Sequence, residues 1–204
     1  MAQNSDRIIS VYRTKHLPVS ALAGVLPEST LKYDWYGSEI VPPLYYSIAI
    51  DTEHLFFSAR RESPAFLNPA YRMGQYVEGL WNYDVVELFI SDPKKSSYQE
   101  INLAPNGVWW SQAFSSYRQR EEDYATPAGV KTTCIVLEKS WETSIYIPLN
   151  NLSVQFEPES GLYLNICAIL GKDDRRYLSA VKLNSDEPDF HPRRQLPKVI
   201  IVEV

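Results

Sequence analysis

GLWNYDVVELFISDPKKSSYQEINLAPNGVWW, residues 79–110, is the stretch of sequence that decides the fold of this chain. Every second position from 86 to 90 is aliphatic, while the positions between them are mixed, and Ile101 and Leu103 alternate with Glu100 and Asn102. A period of two predicts β-strands that turn one face to a core and the other away from it. The connection Asp92-Pro93-Lys94-Lys95-Ser96 has the composition of a short turn, which favours antiparallel pairing. The stretch therefore predicts a β-hairpin, followed by a turn at Pro105-Asn106-Gly107 and a third strand.

The two faces of this hairpin differ in chemistry. Positions 86, 88 and 90 are all aliphatic and form the natural core face, so Glu87 is predicted on the outer face. With the turn centred in its connection, the hairpin places Glu87 opposite Asn102, and Phe89 opposite Glu100. The outer face is thus expected to carry two carboxylates and a carboxamide, with Trp81 at its entrance.

Short apolar segments bounded by turn residues recur along the rest of the chain, and helical periodicity is scarce. Pro18–Leu26 has one apolar helical face, while Ser115–Tyr124 is polar enough to suggest a surface excursion. We predict a single domain over residues 1–204 with an all-β fold, an antiparallel β-sandwich with one or two short helices. The predicted strands are Arg7–Arg13, Leu44–Asp51, His54–Arg60, Asp84–Ser91, Tyr98–Leu103, Val108–Phe114, Lys131–Glu138, Glu142–Pro148, Leu162–Leu170, Arg176–Val181 and Val199–Val204.

Charge and hydropathy argue against two classes of partner. The formal net charge is −5 and no basic cluster is longer than a pair, so no basic stripe is available for a nucleic acid. No segment approaches the roughly 18 apolar residues of a membrane span. The start MAQNSDRIIS lacks the apolar run of a secretory signal, which favours a cytoplasmic protein if Met1 is native and leaves secretion open if the sequence has been trimmed.

Cys134 and Cys167 are the only cysteines, and each lies inside an apolar segment without CxxC spacing. We interpret them as buried free thiols. A disulfide between neighbouring strands is the alternative, and it would suit a secreted protein better.

The predicted outer face has the residue types that sugars require. Carboxylate and amide groups match planar hydroxyls, and aromatic rings accept the flat C–H faces of a sugar. The alternative is a solvated sheet face with scattered polar residues, and alternation alone does not separate the two.

Several motifs resemble carbohydrate-binding module family 9, of the wider DOMON-like group of jelly-roll-like β-sandwiches. The run W-N-x-D-V-V-E-L-F-I from position 81 is followed by Y-x-E-I-x-L-x-P-N-G and an aromatic pair. LFFSARR, SWETSIYIPLNNL and DFHPRRQLPKVIIVEV resemble further segments of the family in the same order. The resemblance covers the chain from about residue 40 to its end, and leaves residues 1–40 less defined.

The resemblance implies roles for individual residues. Trp81 takes the place of one of two tryptophans that sandwich a sugar ring, and Glu87 that of a hydrogen-bonding glutamate. Asn102, with Glu100 beside it, falls where the family has a polar side chain on the adjacent strand, and Arg60 is a weaker candidate for the same face. The second tryptophan is missing, because Tyr177-Leu178-Ser179-Ala180 stands where the family has a Ser-Trp pair. Trp109, Trp110, Tyr177 and Phe190 are candidates to replace it.

Glycoside hydrolysis is one alternative, because Glu87, Glu100 and Asp84 are carboxylates within reach of one another. On an open sheet face, however, acidic groups stay ionised and hydrated, with nothing to raise a pKa into the acid role. We therefore predict no enzyme, although the domain could be an accessory to glycoside hydrolysis.

Cofactors are not expected, although haem and calcium are conceivable. Some DOMON-like relatives bind haem, for which Met73 and the histidines are possible axial ligands and His191 is more simply a structural hydrogen-bonding residue. Calcium is conceivable at Asp173-Asp174 or at Asp92. The predicted function is binding of a small saccharide or glycan end. The alternatives are a haem-binding domain and an interaction or scaffold domain that has lost sugar binding.

Overall fold

A computed structural model describes residues 8–15, 26–91, 96–154, 163–181, 185–191 and 199–204. These residues form two β-sheets with short 3-10 turns at Leu80–Asn82 and Leu149–Asn151. The strands are β1 Ile9–Arg13, β2 Ser29–Tyr33, β3 Glu39–Ile50, β4 His54–Arg61, β5 Val85–Ser91, β6 Tyr98–Leu103, β7 Trp109–Ser116, β8 Gln119–Arg120, β9 Lys131–Val136, β10 Trp141–Pro148, β11 Tyr163–Leu170, β12 Arg176–Ser179 and β13 Val199–Glu203.

The two sheets pack face to face. The first has the strand order β13-β1-β3-β4-β10-β9, with β2 paired to β3, and the second has the order β12-β11-β5-β6-β7-β8. One apolar core takes side chains from both sheets, such as Ile48 and Phe57 from the first and Leu88, Ile101 and Ile166 from the second. The predicted all-β sandwich is therefore confirmed.

The register of the central hairpin is the predicted one. In the β5–β6 pair Glu87 lies opposite Asn102, and Phe89 lies opposite Glu100. Positions 86, 88 and 90 enter the core between the sheets, while Val85 and Phe89 belong to a second apolar cluster on the other side of the sheet. The parity on which the site prediction depends is thus correct.

The structure departs from the predicted pattern in three places. Strands β2 and β8 were not predicted, and β1 pairs in parallel with both β3 and β13 although all pairing was expected to be antiparallel. Ser115–Tyr124 contains the end of β7, a tight turn and β8, because its polar residues continue an edge hairpin. The predicted helix at Pro18–Leu26 lies outside the described residues except for Leu26, which is in a bend.

Both cysteines are free, as predicted, and they lie in different sheets, on β9 and β11. Cys167 is buried, whereas Cys134 is only half-buried. Within the described part of the chain, no helix has the length and apolar character needed to cross a membrane.

Asp84 joins the two ends of the site region. It is 1% exposed, and its carboxylate accepts hydrogen bonds from the backbone N–H of Phe66 at 3.0 Å and of Gly171 at 2.6 Å. Burial raises the pKa of Asp84 despite these hydrogen bonds. The Asp84 carboxylate therefore connects the β4–β5 connection to the turn after β11 through hydrogen bonds.

Candidate functional site

A pocket of about 340 Å³ lies on the face of the second sheet that points away from the core. Its floor comes from β5, β6 and β7, where Glu87, Asn102 and Trp110 face one another in register. Glu100 lies two residues before Asn102 on β6, so its side chain points to the same face of the sheet. Trp81, Glu87 and Glu100 all line the pocket, whereas Asn102 is fully buried behind the lining and donates a hydrogen bond to Glu100. The structure therefore brings together four of the five predicted site residues.

Three segments cover this sheet face. The β4–β5 connection carries Trp81, the β7–β8 hairpin carries Arg118 and Arg120, and residues 185–191 carry Phe190 and His191. As a result Glu87 is only 4% exposed and Glu100 only 5%. The expectation of an open, hydrated face was wrong, because these distant segments fold over the strands.

Aromatic side chains form the walls. Trp81, itself 37% exposed, meets Trp110 edge to face with ring centroids 5.8 Å apart. Tyr177 and Phe190 form a second pair, with centroids 6.4 Å apart. Three of the four candidates to replace the missing tryptophan thus line the pocket, whereas Trp109 points into the core because it is adjacent to Trp110 on one strand.

The two buried carboxyl groups have unequal surroundings. Asn102 donates its Nδ2–H to Glu100 Oε1 at 2.9 Å, while its own Oδ1 is buried without a partner among the described residues. Glu87 makes no hydrogen bond to any part of the chain that the structure describes. Burial, with repulsion from Glu100, raises the pKa of Glu87 well above its ordinary value, and burial raises the pKa of Glu100 to about 7.

His191 is held in one orientation at the edge of the floor. Tyr98 Oη accepts the backbone N–H of Arg118 at 3.0 Å and lies 2.7 Å from His191 Nδ1. A phenol that donates to Nδ1 places the imidazole proton on Nε2, and Nε2 lies 3.8 Å from Glu100 Oε2. Burial, with Arg118 nearby, lowers the pKa of His191 to about 4, so the ring is neutral at pH 7. Its hydrogen bond to Tyr98 fits the predicted structural role.

The two arginines that line the pocket are already paired. Arg118 Nη2 lies 2.9 Å from Asp189 Oδ1, and Arg120 Nη2 lies 2.5 Å from Glu78 Oε1. The Arg120 guanidinium also lies 5.2 Å from the centre of the Trp110 ring. Both arginines therefore act first as supports of the pocket wall.

Arg60 does not belong to this site, so its assignment was wrong. It lies on β4 in the first sheet, where it forms a bidentate pair with Glu28 at 2.6–2.7 Å and covers the Tyr45 ring at 4.2 Å. The end of β4 resembles the family motif, but only tertiary structure assigns the strand to a sheet.

The candidate cofactor ligands are scattered. Met73 is 55% exposed and does not line the pocket, and His191 already uses Nδ1 toward Tyr98. Asp174 pairs with Arg176, while Asp92 lies outside the described residues. Among the residues that the structure describes, no three His, Cys, Asp or Glu side chains form a group that could hold a metal ion. The absence of a cofactor, with haem and calcium as alternatives, stays a prediction.

Arg118 and Arg120 were missed as pocket residues. Both lie in SSYRQREEDY, whose polarity was interpreted as a surface excursion. The useful signal was the alternation continuing beyond β7, since Arg120 pairs opposite Phe114 and faces the same side of the sheet. The position of Arg118, whose φ of 56° makes the hairpin turn, has no comparable signal in the sequence.

Comparison with solved structures defines the class of fold. A Bacteroides uniformis protein provisionally assigned as carbohydrate-binding superposes with a TM-score of 0.71 at 18% identity, covering 95% of this chain and 98% of that one. Family 9 carbohydrate-binding modules from Caldicellulosiruptor kristjanssonii superpose with TM-scores of 0.63 (bound to cellotriose) and 0.64 (bound to glucose). Both are 10% identical to this chain and cover 96% of it. The alignment covers 94% of the cellotriose-bound module and 96% of the glucose-bound module. The fold is therefore that of a family 9 module, as the resemblance predicted.

Sequence comparison gives a particular relative. The mouse (Mus musculus) UPF0462 protein C4orf33 homolog is 28% identical over 142 residues, which are 63% of this chain and 68% of the mouse protein. No family model matches the chain.

Proposed function

We propose that this protein binds a saccharide, without cleaving it, in the pocket on the outer face of the second sheet. The observation that carries the proposal is a floor of Glu87 and Glu100, with Asn102 supporting Glu100 from behind, beneath two aromatic pairs. Polar groups on a floor and rings on the walls match the hydroxyl edges and C–H faces of a sugar. The volume of about 340 Å³ suits one or two sugar rings, which supports recognition of a small saccharide or a glycan end.

The fold supports the same proposal. The similar structures include family 9 modules that were solved with cellotriose and with glucose bound. A protein with that fold, and with a pocket on the sheet face where the resemblance predicts one, is reasonably tested on glucose oligosaccharides first.

The test is calorimetric titration of cellotriose and related small saccharides into the wild type and Trp81→Ala. Loss of a stacking ring is expected to cost about 1–3 kcal/mol, or roughly 5- to 150-fold in Kd. Tyr33→Ala is the matched control, because Tyr33 is an exposed ring, 59% accessible, that does not line the pocket. Equal weakening by both substitutions, or by neither, contradicts the proposed site. A protein that binds no saccharide favours the interaction-domain alternative.

Glycoside hydrolysis is the second candidate, and the buried carboxyl pair is the observation that favours it. A pKa of about 7 for Glu100 is in the range of a general acid. Against it, Glu87 and Glu100 are diagonal neighbours on adjacent strands and project from the same sheet face. Glycosidases place their two carboxyl groups on either side of the scissile bond, which a pair on one floor does not do.

This candidate has its own assay. Cellotriose and aryl glycosides incubated with the protein are expected to stay intact over hours, as followed by chromatography. Turnover that disappears in Glu100→Gln would show an enzyme and replace the binding proposal.

A further inference from the structure

Resting on the proposed function, we infer that the saccharide recognised by this pocket carries a free amino group, so that its ligand class is the amino sugars. The inference names the chemistry of the ligand. It is carried by two buried, neighbouring carboxyl groups at the pocket floor, of which Glu87 has no hydrogen-bond partner among the described residues.

Polar groups at the floor lack hydrogen-bond partners in the described part of the chain. Glu87 is 96% buried and lines the pocket without a hydrogen-bond partner among the described residues. Asn102 Oδ1 is a second buried acceptor without a partner among the described residues, although Asn102 lies behind Glu100 and does not itself line the pocket. Buried acceptors without partners cost free energy, so the site calls for a ligand rich in donors. A primary ammonium has three N–H donors and no acceptor, whereas a hydroxyl has only one donor.

Charge points the same way. Arg118 and Arg120 are the cations that line the pocket, and each has a carboxylate partner, Asp189 and Glu78. His191 is neutral at pH 7. Arg118 acts to lower the pKa of Glu87, and both arginines act to lower that of Glu100, but burial outweighs them. Neither floor carboxyl group forms an ion pair with an arginine in the part of the chain that the structure describes, and the two repel each other if both are ionised.

A bound ammonium would relieve this repulsion. An amine that arrives unprotonated takes the proton of a floor carboxyl group, and an ammonium that arrives protonated displaces that proton to water. Both routes end in the same ammonium–carboxylate pair. The surrounding rings of Trp81, Trp110 and Tyr177 add cation–π attraction for the same group and stacking for the sugar ring.

An acidic sugar fits less well. Its carboxylate would have to displace Asp189 or Glu78 from an arginine and would lie near Glu87 and Glu100. A neutral sugar can hydrogen-bond to the floor through its hydroxyls, but it forms no ion pair with either carboxyl group. Amino, neutral and acidic sugars therefore differ in how they interact with the carboxyl groups of Glu87 and Glu100.

The test compares trisaccharides with one backbone, cellotriose, fully deacetylated chitotriose and its N-acetylated form, by calorimetry at pH 7. Galactose, galactosamine and N-acetylgalactosamine form a second matched set. We expect the free amine to bind at least about tenfold more tightly than its hydroxyl and N-acetyl counterparts, as one buried charge pair worth about 1.4 kcal/mol requires. Glu87→Gln should reduce this ratio toward one. Glu142→Gln, on the outer face of the other sheet, should leave it unchanged.

The outcomes separate the two proposals. Equal or weaker binding of the amines, with cellotriose or galactose still bound in the pocket, overturns the inference and leaves saccharide binding standing. A preference for the amines that Glu87→Gln does not reduce, in a variant whose thermal unfolding shows it folded, also overturns it. If no member of either set binds, the proposed function fails and the inference with it.

Discussion

At the level of single residues, the protonation of Glu87 and Glu100 links the pocket to the free energy of unfolding. Both carboxyl groups are almost fully buried, and burial raises the pKa of each. For Glu100 the pKa rises from 4.5 to about 7, so between these values the folded protein holds a proton that the unfolded chain has lost. The free energy of unfolding must then fall as pH rises through this window.

His191 contributes with the opposite sign. Its pKa falls from 6.5 in the unfolded chain to about 4 in the folded protein. Between these pH values the unfolded chain therefore binds a proton that the folded protein does not bind. Its share of the stability rises with pH up to 6.5 and is constant above that value. The pH profile of the wild type therefore mixes the two effects, and a difference between variants is needed to separate them.

We predict that Glu100→Gln gains stability relative to the wild type as pH rises from 5 to 7, by the order of 1 kcal/mol per pH unit. The neutral amide keeps an acceptor for Asn102 but has no proton to lose. Urea unfolding of both proteins at several pH values measures the difference. Parallel pH profiles would mean that Glu100 is hydrated in the folded state, contrary to its burial.

At the level of elements, the turn between β11 and β12 holds the segment that carries Trp81, although the turn itself does not line the pocket. Gly171, with φ near +87°, donates its backbone N–H to Asp84. In the same turn Arg175 donates to the backbone carbonyl of Trp81 at 2.5 Å and to that of Asn82 at 3.0 Å. The turn thus holds the segment that carries the predicted stacking ring.

A matched pair of glycine substitutions tests this turn. Gly171 and Gly37 have almost the same φ, +87° and +88°, so alanine pays a similar left-handed strain of about 1–2 kcal/mol at either position. A Cβ at Gly37 meets open space, whereas at Gly171 it would come within 2.6 Å of the backbone oxygen of Asp174. We expect Gly171→Ala to lower the free energy of unfolding by at least about 1 kcal/mol more than Gly37→Ala, measured by urea titration. Equal losses would show that the turn shifts without cost.

Strand parity was the part of the site that could be predicted from sequence. The aliphatic set in β5 decides which face enters the core, and the turn length then sets the register that brings Glu87 opposite Asn102. The same alternation separates Trp109 from Trp110, although the sequence leaves open which of them reaches the pocket. Strand β2 was missed because its sequence, STLKY, has one buried residue and little apolar character.

At the level of the whole molecule, the burial of the site could not be predicted. Phe190 and His191 are about 100 residues distant from Glu87 in sequence, and their packing over the second sheet depends on contacts with Trp35, Tyr98 and Phe114. The membership of β4 in the first sheet, which removes Arg60 from the site, is likewise a tertiary fact. The alternation of residue types in the sequence predicts strands and the direction of their side chains. Which segments cover a sheet face depends on contacts between residues that are far apart in sequence.

The central claim is that a saccharide binds between Trp81 and the floor of the second sheet. The chain has 5 tryptophans, so the indole N–H region of a ¹H–¹⁵N spectrum offers probes both in the pocket and in the core. On titration with saccharide, starting with cellotriose and the free-amine trisaccharide, the account predicts that the Trp81 and Trp110 signals shift together. Trp109 and Trp141, which lie in the core, should stay in place. Shifts at Trp141 with Trp81 unmoved would place the ligand elsewhere and contradict the account.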